Sequence, residues 1–390
     1  MDGVDHIKFM RRALILARRG MGRTTPNPCV GAVVVRNGVV IGEGWHRAAG
    51  FPHAEIEAIE NARRKSFNVR GSTLYVTLEP CCTWGKTSPC TKTIVSEGIR
   101  RVIIGTRDPN PKHRGRGIRL LRKAGVELME NVLCEECERL NQMWNHWIVH
   151  QTPWVIAKCG MTLDGKIATV NGESRWITSQ PSQRKAQHLR SRVDAVLVGV
   201  NTVLKDDPHL TVRYPRLLAV QPLCVILDMH ARTPPKAGIF GSTPERVWIF
   251  VGWKAPRRRV ERLQKNGANV VRTRNAECGT RSIQNGKLKT QNLAPQRRVD
   301  LKAVLRVLGK AGVTSVLVEG GGEVLGSFFR EKRIHEIVFF IAPMILGGRD
   351  SIKAVAGEGF PKWQKSLPLE DMRVHKIGSD LMVCAKVQGS

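Results

Sequence analysis

The chain has 390 residues, more than one compact core ordinarily fills, so at least two domains are expected. A composition 42% hydrophobic and 25% charged excludes a disordered or collagen-like chain. The net charge of +30 leaves nucleic acid, anionic membrane and phosphorylated small molecules open as partners.

In chain order, Asp5 caps an amphipathic helix with Phe9, Ala13 and Leu16 on one face, ending at Gly20. Asn37-Gly38 splits Val30 to Val35 from Val39 to Gly42 as a hairpin. A helix over His53 to Arg64, a strand over Ser72 to Thr77, a helix over Cys90 to Glu97 and a strand over Arg101 to Gly105 follow, which reads as an α/β sandwich. One helical segment from Glu135 to His150 leads to Thr152-Pro153, where proline marks a boundary between domains 1–150 and 151–390. Beyond it strands over Trp154 to Gly160, Ala195 to Val200, Leu223 to Leu227, Val247 to Val251, Ser315 to Val318 and Glu336 to Ile341 read with their helices, Pro181 to Arg190 among them, as a mostly parallel sheet.

Residues 251–300 hold 13 basic against three acidic residues, and the polar run from Arg272 to Arg298 lacks apolar periodicity. It reads as a solvated surface loop, a basic insertion at about 272–300, and only secondarily as a polyanion-binding arm. The longest apolar stretch, Ile337 to Leu346, has ten residues broken by Pro343, against the roughly eighteen that span a bilayer. With Asp2 and Asp5 at the start there is no secretory pattern, so the expectation is a cytoplasmic protein with ten reduced cysteines.

The cysteines that cluster point to metal. His53-Ala54-Glu55 is followed by Pro80-Cys81 and, after eight intervening residues, by Cys90. One imidazole and two thiolates are three zinc ligands, leaving a fourth tetrahedral position for water, and an open position means catalysis rather than scaffolding. Zinc lowers the pKa of that water, and Glu55, two residues from the histidine, is placed to carry its proton to a leaving amine. Taken singly, a His-x-Glu pair is usually surface and a cysteine usually core; together they match the pattern described for zinc-dependent base deaminases. Cys134-x-x-Cys137 has no partner pair and reads as the start of a packed helix.

These stretches resemble the bifunctional deaminase/reductase family of riboflavin biosynthesis. The resemblance is carried in the first half by Thr25 to Gly31, Gly44-Trp45-His46, Gly50 to Glu55, Thr77 to Cys81, Gly85 to Cys90 and Asp108-Pro109-Asn110-Pro111. It implies a cytidine-deaminase-like α/β/α sandwich with one zinc per chain, Glu55 as proton shuttle, and Asn27, His46 and Lys86 lining the pocket for a phosphorylated pyrimidine. One departure is that Cys82-Thr83 stand where the family usually has Ser-His, so a pocket imidazole is missing.

In the second half, Val318 to Gly322 leaves a strand and enters a helix over Glu323 to Phe329, a cradle of backbone N–H groups suited to phosphate, though without a dinucleotide fingerprint. Lys158, Ser174, Arg190 and Arg213 suit a phosphosugar. Lys158 to Ala168, Gly172 to Thr178, Asp206-Asp207-Pro208, Leu210 to Arg213 and Ala342 to Gly348 resemble the reductase half of the same family. That half is similar to dihydrofolate reductase in fold and uses NADPH to reduce a ribosyl group to ribityl. The resemblance implies that Gly160, Trp176, Thr202, Asp206 and the run Gly321, Gly322, Glu323, Val324, Leu325, Gly326 and Ser327 face the cofactor. By the same resemblance Ser174, Arg190, Leu210, Arg213 and Glu319 face the substrate, and Asp206 is a candidate proton donor. Gly160 stands where alanine is usual.

The rival reading is a nucleic-acid base deaminase with a basic appendage. Polynucleotide deaminases use Cys-x-x-Cys, whereas Cys81 and Cys90 enclose eight residues, and two tyrosines leave few stacking platforms. The partner that the resemblance implies is the phosphorylated pyrimidine, and neither nucleic acid nor membrane is expected. The sequence leaves oligomeric state open, a homo-oligomer included.

Overall fold

The computed structural model describes residues 5–84, 88–174, 176–214, 220–241, 243–273, 279–284, 287–292 and 298–389. The chain divides into two compact units, Met1–Gln151 and Thr152–Ser390.

The first unit runs α1 (His6–Ala17), β1 (Gly31–Arg36), β2 (Val39–Trp45), α2 (Ala54–Arg64), β3 (Thr73–Leu78), α3 (Cys90–Ser96), β4 (Arg101–Thr106), α4 (Arg116–Lys123), β5 (Glu127–Met129), α5 (Cys134–Leu140) and α6 (Gln142–His150). Asp5 caps α1, its carboxylate accepting from the Lys8 N–H. Asn37 and Gly38 both take positive φ, the turn that joins β1 to β2. The strands form one sheet in the order β2-β1-β3-β4-β5, antiparallel across β1 and parallel from β3 to β5. Alternation along the strands feeds two cores. Ala32, Val34, Leu74, Val76, Val102 and Ile104 meet α2, α3 and α4 on one face, while Val33, Val35, Tyr75 and Ile103 meet α1 and α5 on the other. The result is a three-layer α/β/α sandwich. Helix α2 lies so close over β2 that a Cβ on Gly44 would stand 2.4 Å from the Ala58 nitrogen, and this contact fixes the helix that begins the metal motif.

The helix expected over Glu135 to His150 is two helices. Asn141 ends α5 at φ −107°, and its amide both accepts from the Cys29 N–H and donates to the Cys29 carbonyl, so the break is set by a distant strand entry rather than by local propensity.

The second unit contains β6 (Trp154–Thr162), β7 (Lys166–Ala168), α7 (Gln180–Arg190), β8 (Ala195–Gly199), α8 (Val200–Asp206), β9 (Leu223–Leu227), β10 (Val247–Gly252), α9 (Arg257–Lys265) and β11 (Asn269–Thr273). It continues through β12 (Gly279–Gln284), β13 (Lys287–Asn292), α10 (Leu301–Lys310), β14 (Ser315–Val318), α11 (Gly322–Arg330), β15 (Glu336–Ala342), β16 (Ile352–Lys353), β17 (Leu369–Ile377) and β18 (Asp380–Val387). Nine strands form one sheet, β11-β10-β9-β8-β14-β6-β15-β18-β17, parallel except for β18, which pairs antiparallel with both β15 and β17. The central strands are continuous apolar runs, as burial on both faces demands, and α10 and α11 cover one face through Leu301, Val304, Leu308, Leu325 and Phe328. The expected mostly parallel sheet is present. The basic run is not wholly a loop, because Arg272 and Thr273 belong to β11 and the backbones of β12 and β13 pair antiparallel over six residues each. A two-stranded ladder needs only backbone pairing, and this polar sequence carries no apolar periodicity to announce it.

Candidate active sites

In the first unit, β3 and β4 deliver loops to the open side of α2 and α3. His53 precedes α2, Glu55 lies in its first turn, Cys81 follows β3, and Cys90 opens α3 after Pro89. The ligand atoms of His53, Cys81 and Cys90 all lie within 4.8 Å of one another, and they are the only such group among the described residues. Both sulfurs stand close to His53 Nδ1, Cys81 at 3.4 Å and Cys90 at 3.3 Å. A tetrahedral zinc with bonds of about 2.3 Å to sulfur and 2.0 Å to nitrogen spaces these atoms by about 3.5 Å, so the donor set fits the ion. The Cys90 N–H at the helix start donates to the Cys81 sulfur. Hydrogen bonding from Cys90, with His53, draws the Cys81 thiol down to about 4 against the opposing effect of burial, while Cys90 is pushed up by Cys81 and by burial. Burial, then the Cys81 charge, raises the fully enclosed Glu55 carboxyl to about 7.

These groups open on a cavity of about 380 Å³ that Asn27, His46, Thr83, Asp108, Asn110, His113 and Trp144 also line. His46 Nδ1 donates to the Pro52 carbonyl at 3.1 Å, leaving Nε2 to accept from Asn27 Nδ2 at 3.0 Å, so each fixes the other's orientation. Burial lowers the His46 pKa, which favours this neutral form. The expected pocket residue Lys86 lies outside the described residues. Thr83, at the departure from the family pattern, is part of the wall.

Glu79 is the residue that motif reading passed over. Its buried carboxylate accepts four backbone N–H groups, from Asp108 and Gly115 on one oxygen and from Gly117 and Ile118 on the other. That clamps the 108–117 segment onto the end of β3, at the positive start of α4. The signal available in the sequence was a glutamate in an apolar strand ending, a placement that demands a partner.

In the second unit, the carboxyl ends of the adjacent strands β8, β14 and β6 border a cavity of about 940 Å³, the usual place for a ligand in a parallel sheet. Its wall includes Gly160, Ser174, Thr202, Asp206, Glu319, Gly321, Gly322, Glu323, Val324 and Ser327. A Cβ on Gly160 would meet Thr178 at 3.2 Å, so an alanine there requires a small shift of that side chain. Glu319 is nearly buried. Arg190 binds it in two-pronged fashion at 2.6 and 3.0 Å, and Lys158 reaches it at 3.4 Å. Burial pushes the Glu319 carboxyl up, but the two cations and their hydrogen bonds outweigh it and hold it at about 2.

Several expected residues stand elsewhere. Gly322 onward is helix, and the helical period turns Leu325 into the core and sets Gly326 within 1.8 Å, from a hypothetical Cβ, of the Ala356 carbonyl oxygen. Of the run 321–327, residues 321–324 and 327 line the cavity and Leu325 and Gly326 do not. Trp176 is 73% exposed and Leu210 is buried; neither lines the cavity. Arg213 is exposed, its N–H donating to Gln187 at 2.9 Å, and Arg190 approaches only through Glu319. Lys205, Arg232, Arg298, Arg349 and Lys353 line the cavity and were not singled out from sequence, because each lies in a different loop or element.

Residues 153–383 match the family model of the RibD C-terminal domain, and residues 4–106 match the cytidine and deoxycytidylate deaminase zinc-binding region. The riboflavin biosynthesis protein RibD of Aquifex aeolicus is 40% identical over 378 residues, covering 97% of each chain. That of Escherichia coli is 33% identical over 395 residues, covering 98% of this chain and 99% of the other. Among solved structures, a RibD of Acinetobacter baumannii has a TM-score of 0.83 at 30% identity over 98% of each chain. A diaminohydroxyphosphoribosylaminopyrimidine deaminase/5-amino-6-(5-phosphoribosylamino)uracil reductase of Thermotoga maritima has a TM-score of 0.80 at 35% identity, again over 98% of each.

Proposed function

The chain belongs to the RibD family, the bifunctional deaminase/reductase of riboflavin biosynthesis, and on that premise we propose which residues perform each step. The first unit deaminates the diaminopyrimidine ribosylamino 5′-phosphate, and the second reduces the ribosyl group of the product to ribityl with NADPH. The grouping of His53, Cys81 and Cys90 beside a buried Glu55 supports this reading most directly.

His53, Cys81 and Cys90 hold zinc, and the ion when bound supplies Lewis acidity that makes a water a nucleophile near neutral pH. Glu55, buried in the first turn of α2 beside these ligands, accepts a proton from the attacking water and returns it to the departing amine. Asn27 and the fixed His46 orient the pyrimidine, and burial excludes bulk water from the proton path.

In the second unit the glycines at 160 and 321 let backbone approach a nicotinamide cofactor, and the N-terminus of α11 with its neighbouring basic residues offers donors to phosphate groups. Lys158, locked by Glu319, faces the substrate, and Asp206 on the cavity wall donates the proton that accompanies hydride transfer. A cytoplasmic location completes the proposal; no described helix is long and apolar enough to cross a membrane. The test is ammonia release from the diaminopyrimidine phosphate by the zinc-loaded protein. Loss of release in Cys90→Ala together with loss of zinc supports the assignment, and full activity in that variant contradicts it.

A further inference from the structure

Three features of the deaminase cavity converge on a residue outside its motifs. His113 lines the cavity and its ring makes no hydrogen bond to the described residues; Nδ1 is buried, which leaves Nε2 as the nitrogen available to the cavity. Buried polar atoms in folded proteins are nearly always paired, so a ring left unpaired at a cavity wall is an unfilled contact.

The backbone beneath that ring is firmly held. The N–H groups of His113 and Arg114 both donate to the Asn110 carbonyl at 2.9 Å, the Arg116 N–H donates to the His113 carbonyl at 2.8 Å, and Glu79 grips the segment on both sides through Asp108 and Gly115. The unpaired ring is therefore presented from a rigid turn, the arrangement that makes a site precise.

Its chemistry is scarce in this cavity. No described lining residue is a lysine or arginine. His46 spends both nitrogens on Pro52 and Asn27, and His53 is in the metal set. His113 is then the remaining described imidazole able to give a strong hydrogen bond to an anionic oxygen. It also faces the same space as Thr83.

We infer that His113 is a substrate-binding residue of the deaminase, donating a hydrogen bond to a phosphate oxygen of the ribosyl phosphate arm and so favouring phosphorylated pyrimidines. The inference rests on the deaminase reading above. The proton-transfer chemistry stays with Glu55, so His113 acts on binding and not on the chemical step.

The test uses the full-length, zinc-loaded protein and two variants, His113→Phe and His113→Gln, the second carrying an amide that reaches toward the position of Nε2. Ammonia release is measured with the phosphorylated substrate and with its dephosphorylated counterpart, and zinc content and near-UV circular dichroism report the fold. The expected result is a KM for the phosphorylated substrate raised about tenfold or more in His113→Phe, with kcat within about twofold of the parent. The dephosphorylated substrate should show no such change, and His113→Gln should recover much of the loss. An unchanged KM in a zinc-replete His113→Phe, an equal loss on both substrates, or a fall in kcat alone would each overturn the inference. If His113→Phe loses zinc or its dichroism, the decision passes to a folded His113→Ala, where a KM for the phosphorylated substrate equal to the parent's counts against the inference. A parent protein releasing no ammonia from either substrate is a distinct result that removes the deaminase reading itself.

Discussion

The two candidate sites are assembled in different ways. In the first unit, His53 and Cys90 are 37 residues apart and every metal-type ligand sits at a helix start or the loop after a strand, so short motifs carry the chemistry. In the second, the cavity wall draws on side chains from Lys158 to Ala356, and its central feature is a buried carboxylate held by two cations from β6 and α7. The first site depends on a few irreplaceable donors. The second depends on a charge cluster whose cost in desolvation is offset only while its members stay together.

Substitutions that break this contrast should differ in kind. The largest effect is expected from Glu55→Gln, which removes the proton carrier and leaves the three ligands: ammonia release should fall about 10²- to 10⁴-fold while zinc stays bound. Metal analysis alongside the assay checks this, and zinc loss would mean that Glu55 supports the ligands instead. In the second unit Arg190→Met leaves Glu319 with Lys158 alone, and a stability loss of about 3 kcal/mol is expected in denaturant unfolding of that unit.

The same cluster fixes a pH dependence. The folded-state pKa of Glu319 is held to about 2, below the ordinary 4.5, so its contribution is complete above about pH 4.5 and is lost as pH falls through 2. The parent should therefore lose stability over that window more steeply than Glu319→Gln, by about 3 kcal/mol at most. Parallel acid-unfolding curves would contradict the assignment. Smaller again, Glu79→Gln leaves backbone N–H groups of the 108–117 segment without acceptors, and should cost about 1–3 kcal/mol and raise the deaminase KM more than it lowers kcat. The smallest effect is expected from replacing residues 274–297 with a Gly-Ser linker, after which both activities should stay within about twofold.

Legibility follows the same division. The sandwich and most of the parallel sheet could be read because apolar alternation and turn residues such as Asn37-Gly38 act locally. The break at Asn141 could not, since its amide is spoken for by Cys29, 112 residues away. The grouping of His53, Cys81 and Cys90 was legible through spacing, whereas the Glu79 clamp and the unpaired ring of His113 were not. One is recognised only by the N–H groups that converge on it, the other by partners it lacks. In the second unit Leu325 and Gly326 were assigned by position in a run, and the helical period sorted that run between cavity and core.

Two independent sites acting in a fixed order, deamination first, are open to a direct test. The most direct measurement follows ammonia and NADPH together after the full-length protein is mixed with the diaminopyrimidine phosphate, using the parent and Glu55→Gln. The parent should release ammonia without NADPH and then oxidise NADPH once it is added, while Glu55→Gln should do neither on this substrate yet oxidise NADPH normally when given the deaminated product. NADPH oxidation by Glu55→Gln on the undeaminated substrate, or its failure on the supplied product, would contradict the claim.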